Sequence, residues 1–406
     1  MKRIYWVPVM IITAMIMISY FYIADGQVQG EVSVGLRLPG AWAVIDAGLY
    51  PTIQAAIDAL PDEGGLVKLP PGMFEISGPL VVNKSDVLIQ GAGTATHIKN
   101  VNTTGKSALI LQYPGGGDNR KAELWRIQLS DFRITGNEKS GHGIEARRIN
   151  EIFIDGVTVS YHGGDGIRLY FCYEDPRICN SLITYNKKTG LDAIGCHDVV
   201  VSANQFEENF DALRFIDGFN LCMTGNCLDD HLGDGVVIEN TYGSVVAGNM
   251  IEECKGTAIV LDRDCYGIAL SANVIAHEET GGIALRDAHG CAVSANTFTI
   301  MGKDALNIGP NSGRITVTGN NFSNSYIGDG KVKRGTNDLA AAGMVLNGTS
   351  AIAVTGNLFS GLRPKALSLE GQTSKRVLFT DNVFVDTAGD QQKLEDSVVK
   401  DNLEDE

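Results

Sequence analysis

Eight segments of this chain carry the same short pattern, and that repeat restricts the fold more than any other feature. The segments are VVVSANQF (199–206), LCMTGNCL (221–228), SVVAGNMI (244–251), IALSANVI (268–275), CAVSANTF (291–298), ITVTGNNF (315–322), IAVTGNLF (352–359) and VLFTDNVF (377–384). Their shared asparagines are Asn204, Asn226, Asn249, Asn273, Asn296, Asn320, Asn357 and Asn382. Asn180, Asp155 and Asp131 extend the series backwards. A repeat close to 24 residues is the mark of a solenoid or an array. Each unit holds short runs with period-2 alternation separated by Gly, Asn or Asp, which reads as strand. No run inside the repeats has helical spacing. Leucine-rich-repeat spacing is absent, and a propeller blade needs about 40 residues. The expected fold is all-β, a single-stranded right-handed parallel β-helix, over residues 123–388. The asparagine column is read as structural, with side chains stacked at about 4.8 Å per coil.

The ends need protection, because terminal coils expose backbone groups. Residues 40–122 are read as an N-terminal cap and the first coils. Thr52 is the expected N-cap of a short capping helix whose Ile53, Ile57 and Leu60 share a face. Residues 389–406 are charged and acidic, and read as a disordered tail. Lys2 and Arg3 precede an apolar run from Ile4 to Ile23, then Ala24, Asp25 and Gly26. Residues 1–26 therefore read as a signal peptide or an uncleaved signal anchor. Either reading puts the rest outside the cytoplasm, secreted or at the cell surface, with membrane association only through this segment. The eight cysteines contain no CxxC pair, so a zinc ribbon or thioredoxin motif is not expected. Export permits disulfides, and buried free thiols fit the strand positions equally.

A formal charge of −15 disfavours nucleic acid as a partner. It does not exclude an acidic polysaccharide, since a local arginine cluster works inside an acidic protein.

The stretch IDAGLYPTIQAAIDALPDEGGLVKLPPGMFEISGPLVV (45–82), followed by VLIQGAG (87–93), resembles the N-terminal portion of pectate-lyase-superfamily β-helix proteins. The coils resemble the same superfamily over most of residues 40–388. That group includes polysaccharide lyases, glycoside hydrolases, uronan epimerases and phage tailspikes, so the resemblance implies a polysaccharide-sized groove rather than one reaction. The polygalacturonase motif order does not occur: Gly141-His142-Gly143 precedes Asp229-Asp230. The alginate-epimerase Asp-Pro-His-Asp is also missing.

The resemblance implies that the strand after the third corner bears the groove. In that strand, alternation points Ile144, Ile167, Leu191 and Leu213 inward, with Ala146, Leu169, Ala193 and Phe215 behind them. Glu145, Arg168, Asp192 and Arg214 then face outward as one charged file, and Val237, Val260 and Ala284 continue it. The patch is roughly 15 Å long at one coil per strand spacing. Corner loops add His142, Tyr161, His162, Tyr185, Lys187, Lys188, Asp211 and His231.

Arg168 and Arg214 could clamp a uronate carboxylate while Tyr170 or His162 moves protons in β-elimination. Asp192 and Asp211 could instead be the acid and base of a hydrolase. Glu145, Arg147, Lys187 and His231 are candidate substrate-binding residues. A C5-epimerase on the same face, or a non-catalytic surface or adhesion protein, are the alternatives. The alternating charges would also arise as a cross-strand ion-pair ladder. Asp229, Asp230 and Asp234 are a candidate Ca²⁺ set. The 37 residues from Asn320 to Asn357 hold a basic insertion with Lys331, Lys333 and Arg334 beside the expected groove.

Overall fold

The computed structural model describes residues 38–116, 122–323, 343–362, 365–388 and 394–404. The N-terminal apolar segment and the basic insertion lie outside them. Among the described residues, no helix is long and apolar enough to cross a membrane.

Trp42 onward forms one unit, a parallel β-solenoid. Among the described residues three sheets of 17, 14 and 12 strands run along it, and the central coils contribute to each in turn. Among the described residues all strand pairs are parallel, most of them about one repeat apart, as Val200–Ser202 on Cys222–Thr224 shows. The inward files predicted from alternation are buried: Ile144, Ile167, Leu191 and Leu213 are fully enclosed. Phenylalanines stack inside the coil as well, Phe298 on Phe322 at 4.9 Å and Phe322 on Phe359 at 4.8 Å.

The corner between the first two sheets explains the repeated asparagine. Asn204 Nδ2 donates to Ile178 O at 2.9 Å in the preceding coil and to Asn226 Oδ1 at 3.0 Å in the next. Asn204 N donates to that same oxygen. One amide thus satisfies three backbone or side-chain groups that would otherwise be buried and unpaired. The left-handed residue is not the asparagine but its predecessor, such as Ala203 (φ 55°) or Gly225 (φ 66°).

This corrects the backward extension of the series. Asn180 and Asp131 hold the left-handed position, and Asp155 lies in the strand before it. The ladder begins instead where Ser181 N donates to Asn204 Oδ1. It also runs one rung further than expected. Asn402 Oδ1 accepts from Asn382 N and Nδ2. Val398–Lys400 and Leu403–Glu404 pair with the preceding coil. Residues 394–404 are therefore a last coil, not a disordered tail. Their charges face outward and did not forbid strand pairing.

At the opposite end the helix Ile53–Asp58 is capped by Thr52, whose Oγ1 accepts from Ala55 N at 3.0 Å. Ile53, Ile57 and Leu60 are buried, as their spacing predicts. Gln54 closes the open edge of the third sheet. Its Oε1 accepts from Val81 N at 2.7 Å and its Nε2 donates to Val81 O at 3.1 Å. A side-chain amide here replaces a missing neighbouring strand.

Candidate active site

The third sheet stacks its outward positions in register. Glu145 pairs with Arg168, Arg168 with Asp192, Asp192 with Arg214, and Arg214 with Val237. The four charged residues are therefore immediate neighbours on one wall. Arg168 Nε lies 3.7 Å from Asp192 Oδ2, and Arg214 Nη2 lies 3.7 Å from Glu239 Oε1. Glu145 accepts from Ser107 Oγ at 2.8 Å and from Arg147 Nε at 3.0 Å. Burial opposes its ionisation, but those two donors outweigh burial and leave its carboxyl below the ordinary value.

A second file stands two residues before the inward position that opens each strand's register: His142, Asp165, Thr189, Asp211, Asp234 and Thr257, the last already in strand. Its members fasten consecutive coils. Asp165 Oδ1 accepts from Thr189 N at 3.1 Å, Asp211 Oδ1 from Asp234 N at 2.8 Å, and Asp234 Oδ1 from Thr257 N at 2.7 Å. His142 joins this file to the first. Its Nδ1 is 3.0 Å from both the Asp165 carboxylate and the Asp165 backbone N–H. Nδ1 accepts from that backbone N–H, and the adjoining carboxylate holds the ring in place. Nε2 lies 3.4 Å from Arg168 Nη1.

The two files bring five carboxyl groups and two guanidinium groups together. Burial raises the Asp192 carboxyl above its ordinary value, and Asp165 adds to the rise against Arg168 and Arg214. Burial likewise raises Asp211; the Asp234 N–H opposes the rise, and the Asp234 and Asp192 carboxylates reinforce it. Clustered carboxyls with raised proton affinity are what general acid–base chemistry uses.

Several expected participants lie elsewhere. His162 and His231 are 0% exposed. Both belong to an inward file at the corner between the second and third sheets, with Asn186 and Asn209. Asn186 Oδ1 accepts from His162 N, and Asn209 Oδ1 accepts from Asn186 N and Nδ2. Burial pushes each imidazole down to about 4, so both are neutral. Neither can reach a substrate on the outer wall. Tyr170 is on the wall, but Arg147 covers its ring at 5.4 Å and Phe171 meets it edge-on at 4.6 Å. Lys187 sits on the corner in an exposed ion pair with Glu138 at 2.9 Å.

The Ca²⁺ set also changes. Asp234 turns toward Thr257, whereas Asp229 and Asp230 meet Glu253, with carboxylate oxygens within 4.8 Å of one another. These three are on the corner of the second sheet.

Asp165 and Phe210 were not singled out in the sequence. Asp165 occupies the same place before its strand as Asp211, which is the signal that would have found it. Phe210 is an exposed ring beside Asp211, where Gly233 leaves room for both side chains.

Beyond Arg214 the outward file becomes apolar. Val237 and Val260 are only 7% and 1% exposed although they point away from the coil interior. The charged patch therefore ends sharply after four coils.

A family model described as right handed beta helix region matches residues 83–221, 118–275 and 259–402. The chain belongs to the right-handed β-helix family, and the resemblance read from its N-terminal coils holds at the level of the fold. No curated protein matches the sequence. Among solved structures, bacteriophage phi29 gene product 12 matches with a TM-score of 0.67 at 12% identity, over 84% of this chain and 52% of that one. The A-module of Azotobacter vinelandii mannuronan C-5 epimerase AlgE6 matches with a TM-score of 0.54 at 14% identity, over 89% and 99%. DFA-IIIase from Arthrobacter chlorophenolicus A6, in complex with GF2, matches with a TM-score of 0.55 at 12% identity, over 88% and 98%. The chain spans 63% and 57% of two further viral structures that it matches. At these identities the likeness is one of fold.

Proposed function

We propose that the chain is an exported enzyme that cleaves a polysaccharide lying across coils 144–216 of the third sheet, with Asp192 and Asp211 as its carboxyl pair. The observation that carries this reading is the placement of two buried carboxyls on adjacent coils, Asp192 between Arg168 and Arg214 and Asp211 beside Arg214, each with its proton affinity raised by burial. Burial and the neighbouring Asp165 carboxylate both oppose charge on Asp192; it is the general acid. Asp211 accepts the Asp234 N–H, which favours its ionised form; it is the base. Arg168 and Arg214 hold an acidic or hydroxyl-rich sugar against the pair. The similarity to an epimerase module and to DFA-IIIase supports a carbohydrate substrate at the level of fold.

β-Elimination or C5 epimerisation is the second reading, and His142 favours it. An imidazole aligned by Asp165 and facing Arg168 is a base beside a carboxylate clamp. Incubation with uronic and neutral polysaccharides separates the readings. New reducing ends without absorbance near 235 nm indicate hydrolysis, absorbance there indicates elimination, and altered uronate composition alone indicates epimerisation. Loss of every signal in Asp192→Asn and Asp211→Asn, but not in His142→Gln, is the expected result. No signal from the wild type on any glycan leaves the spacer or adhesion reading in its place.

A further inference from the structure

Arg214 stands in the charged wall with its hydrogen-bonding capacity unspent. Among the described residues its guanidinium makes no hydrogen bond, and its Nε is buried without a partner. Its one ion-pair partner there is Glu239, whose Oε1 lies 3.7 Å from Nη2, too far for a hydrogen bond. Arg147 on the same wall, by contrast, donates from Nε to Glu145 at 3.0 Å. A buried donor left unpaired costs stability, so something must hold the neighbouring Glu239 carboxylate back from Arg214.

Arg263 does this from outside the wall. It follows the strand Thr257–Asp262 at a left-handed position (φ 55°) that Asn240 and Asp217 occupy in the two preceding coils. Its Nη1 donates to Glu239 Oε2 at 2.7 Å, and its Nη2 reaches two coils back to Asp217 Oδ1 at 2.9 Å. Asn240 Nδ2, in the coil between, donates to the same Asp217 oxygen at 2.9 Å. Both arms of the Arg263 fork are therefore fixed, and Glu239 is turned toward it. In its own file Glu239 has Ile216 on one side and Asp262 on the other. The first offers no charge and the second repels it. Among the described residues only Arg214 and Arg263 attract Glu239. Without Arg263, repulsion by Asp262 and attraction by Arg214 both act to close the 3.7 Å gap.

We propose that Arg263 is a positioning residue: by holding Glu239 it keeps the Arg214 guanidinium open to receive an oxyanion of the sugar chain. The proposal rests on the reading of coils 144–216 as the substrate site. Arg263 touches no substrate itself. It acts through Glu239, which in its absence would occupy the planar fork of Arg214 as a resident carboxylate and compete with the substrate for it.

The coupling is tested on the full chain with phenylglyoxal, an arginine-selective dicarbonyl, reading modification of Arg214 by peptide mass spectrometry. Arg263→Asn places in this file the residue that Asn240 already is, so the left-handed turn is kept, and circular dichroism checks the fold. Arg214 should react readily in the wild type. Arg263→Asn should slow its modification about tenfold, the scale of one charged hydrogen bond gained. Arg263→Lys should restore part of the rate, and Arg263→Asn with Glu239→Gln should restore all of it. An unreactive Arg214 in the wild type overturns the proposal. So does a rate unchanged in Arg263→Asn, or a double variant as slow as the single. On a glycan that the wild type cleaves, Arg263→Asn should raise KM about tenfold with kcat within about twofold, and should have no effect in the Glu239→Gln background. An unchanged KM overturns the role in substrate binding, and a loss of kcat shared by the double variant marks Arg263 as merely structural. Cleavage of no glycan removes the reading of the wall as a site, while the modification rates decide the coupling on their own.

Discussion

The third sheet contains two neighbouring regions built on one backbone. Coils 144–216 present Glu145, Arg168, Asp192 and Arg214 outward, and coils 236–285 present Val237, Val260 and Ala284 at the same positions. Their inward files are alike, apolar and fully buried. The solenoid therefore fixes where side chains go and leaves the outward choice free. A site can occupy four coils without altering the coils beside it. The corner between the second and third sheets shows the opposite case. There an inward file passes from Asn186 and Asn209 to His231, Cys254 and Glu278, and the regular amide ladder gives way to ionisable groups in the interior.

The largest effect should separate the two regions of the sheet. Asp192→Asn and Asp211→Asn should each cut turnover by about 10²–10⁴-fold while leaving the melting temperature nearly unchanged. Val260→Ala should do the reverse, lowering stability without touching turnover. Equal losses of turnover from both regions would remove the distinction.

The asparagine ladder comes next. Asn249→Ala removes the acceptor of Asn226 N and Nδ2 and the donor to Met223 O. Several buried groups are orphaned together, so denaturant unfolding should show a loss of about 3–5 kcal/mol. The equivalent truncation at the opposite corner, Met301→Ala, opens only a partial cavity and should cost less.

Glu278 sharpens the contrast between the corners. It is 1% exposed, and burial raises its carboxyl to about 9, aided by Glu252 and Glu253 against the Cys254 thiol. The folded state keeps this proton where the unfolded chain releases it. The contribution is thus fully present below the unfolded value near 4.5 and is lost as pH rises toward 9. At 1.36 kcal/mol per unit, roughly 3 kcal/mol should vanish between pH 4.5 and pH 7. Glu278→Gln should flatten that slope in a pH series of unfolding curves; an unchanged slope would assign it to other groups.

The smallest effect belongs to the rim. Arg147→Ala breaks an exposed pair with Glu145 and uncovers the Tyr170 ring. It should change stability by less than about 1 kcal/mol. A large loss of turnover would bring Tyr170 into the reaction.

The alternation that placed Arg168, Asp192 and Arg214 side by side was legible because strands keep a strict period of two. The same counting failed at corners. Tyr161 and Asp230 are left-handed, and each such residue resets the sense of inside and outside. His162 and His231 were therefore read as groove residues although they point into the core. The backward extension to Asn180 and Asp131 failed for a related reason. Asn and Asp serve both as the ladder amide and as its left-handed neighbour, and residue type alone does not tell them apart.

By itself the sequence determined the repeat, the parallel stacking, the buried files, the cap at Thr52 and the charged wall, because each depends on spacing along the chain. Only the tertiary structure decided which corner side chains turn inward, that Asp165 aligns His142, that Asn402 closes another coil, and that Asp229 and Asp230 meet Glu253 rather than Asp234. Those outcomes depend on backbone direction at single left-handed residues and on contacts between coils, and neither is set by local periodicity.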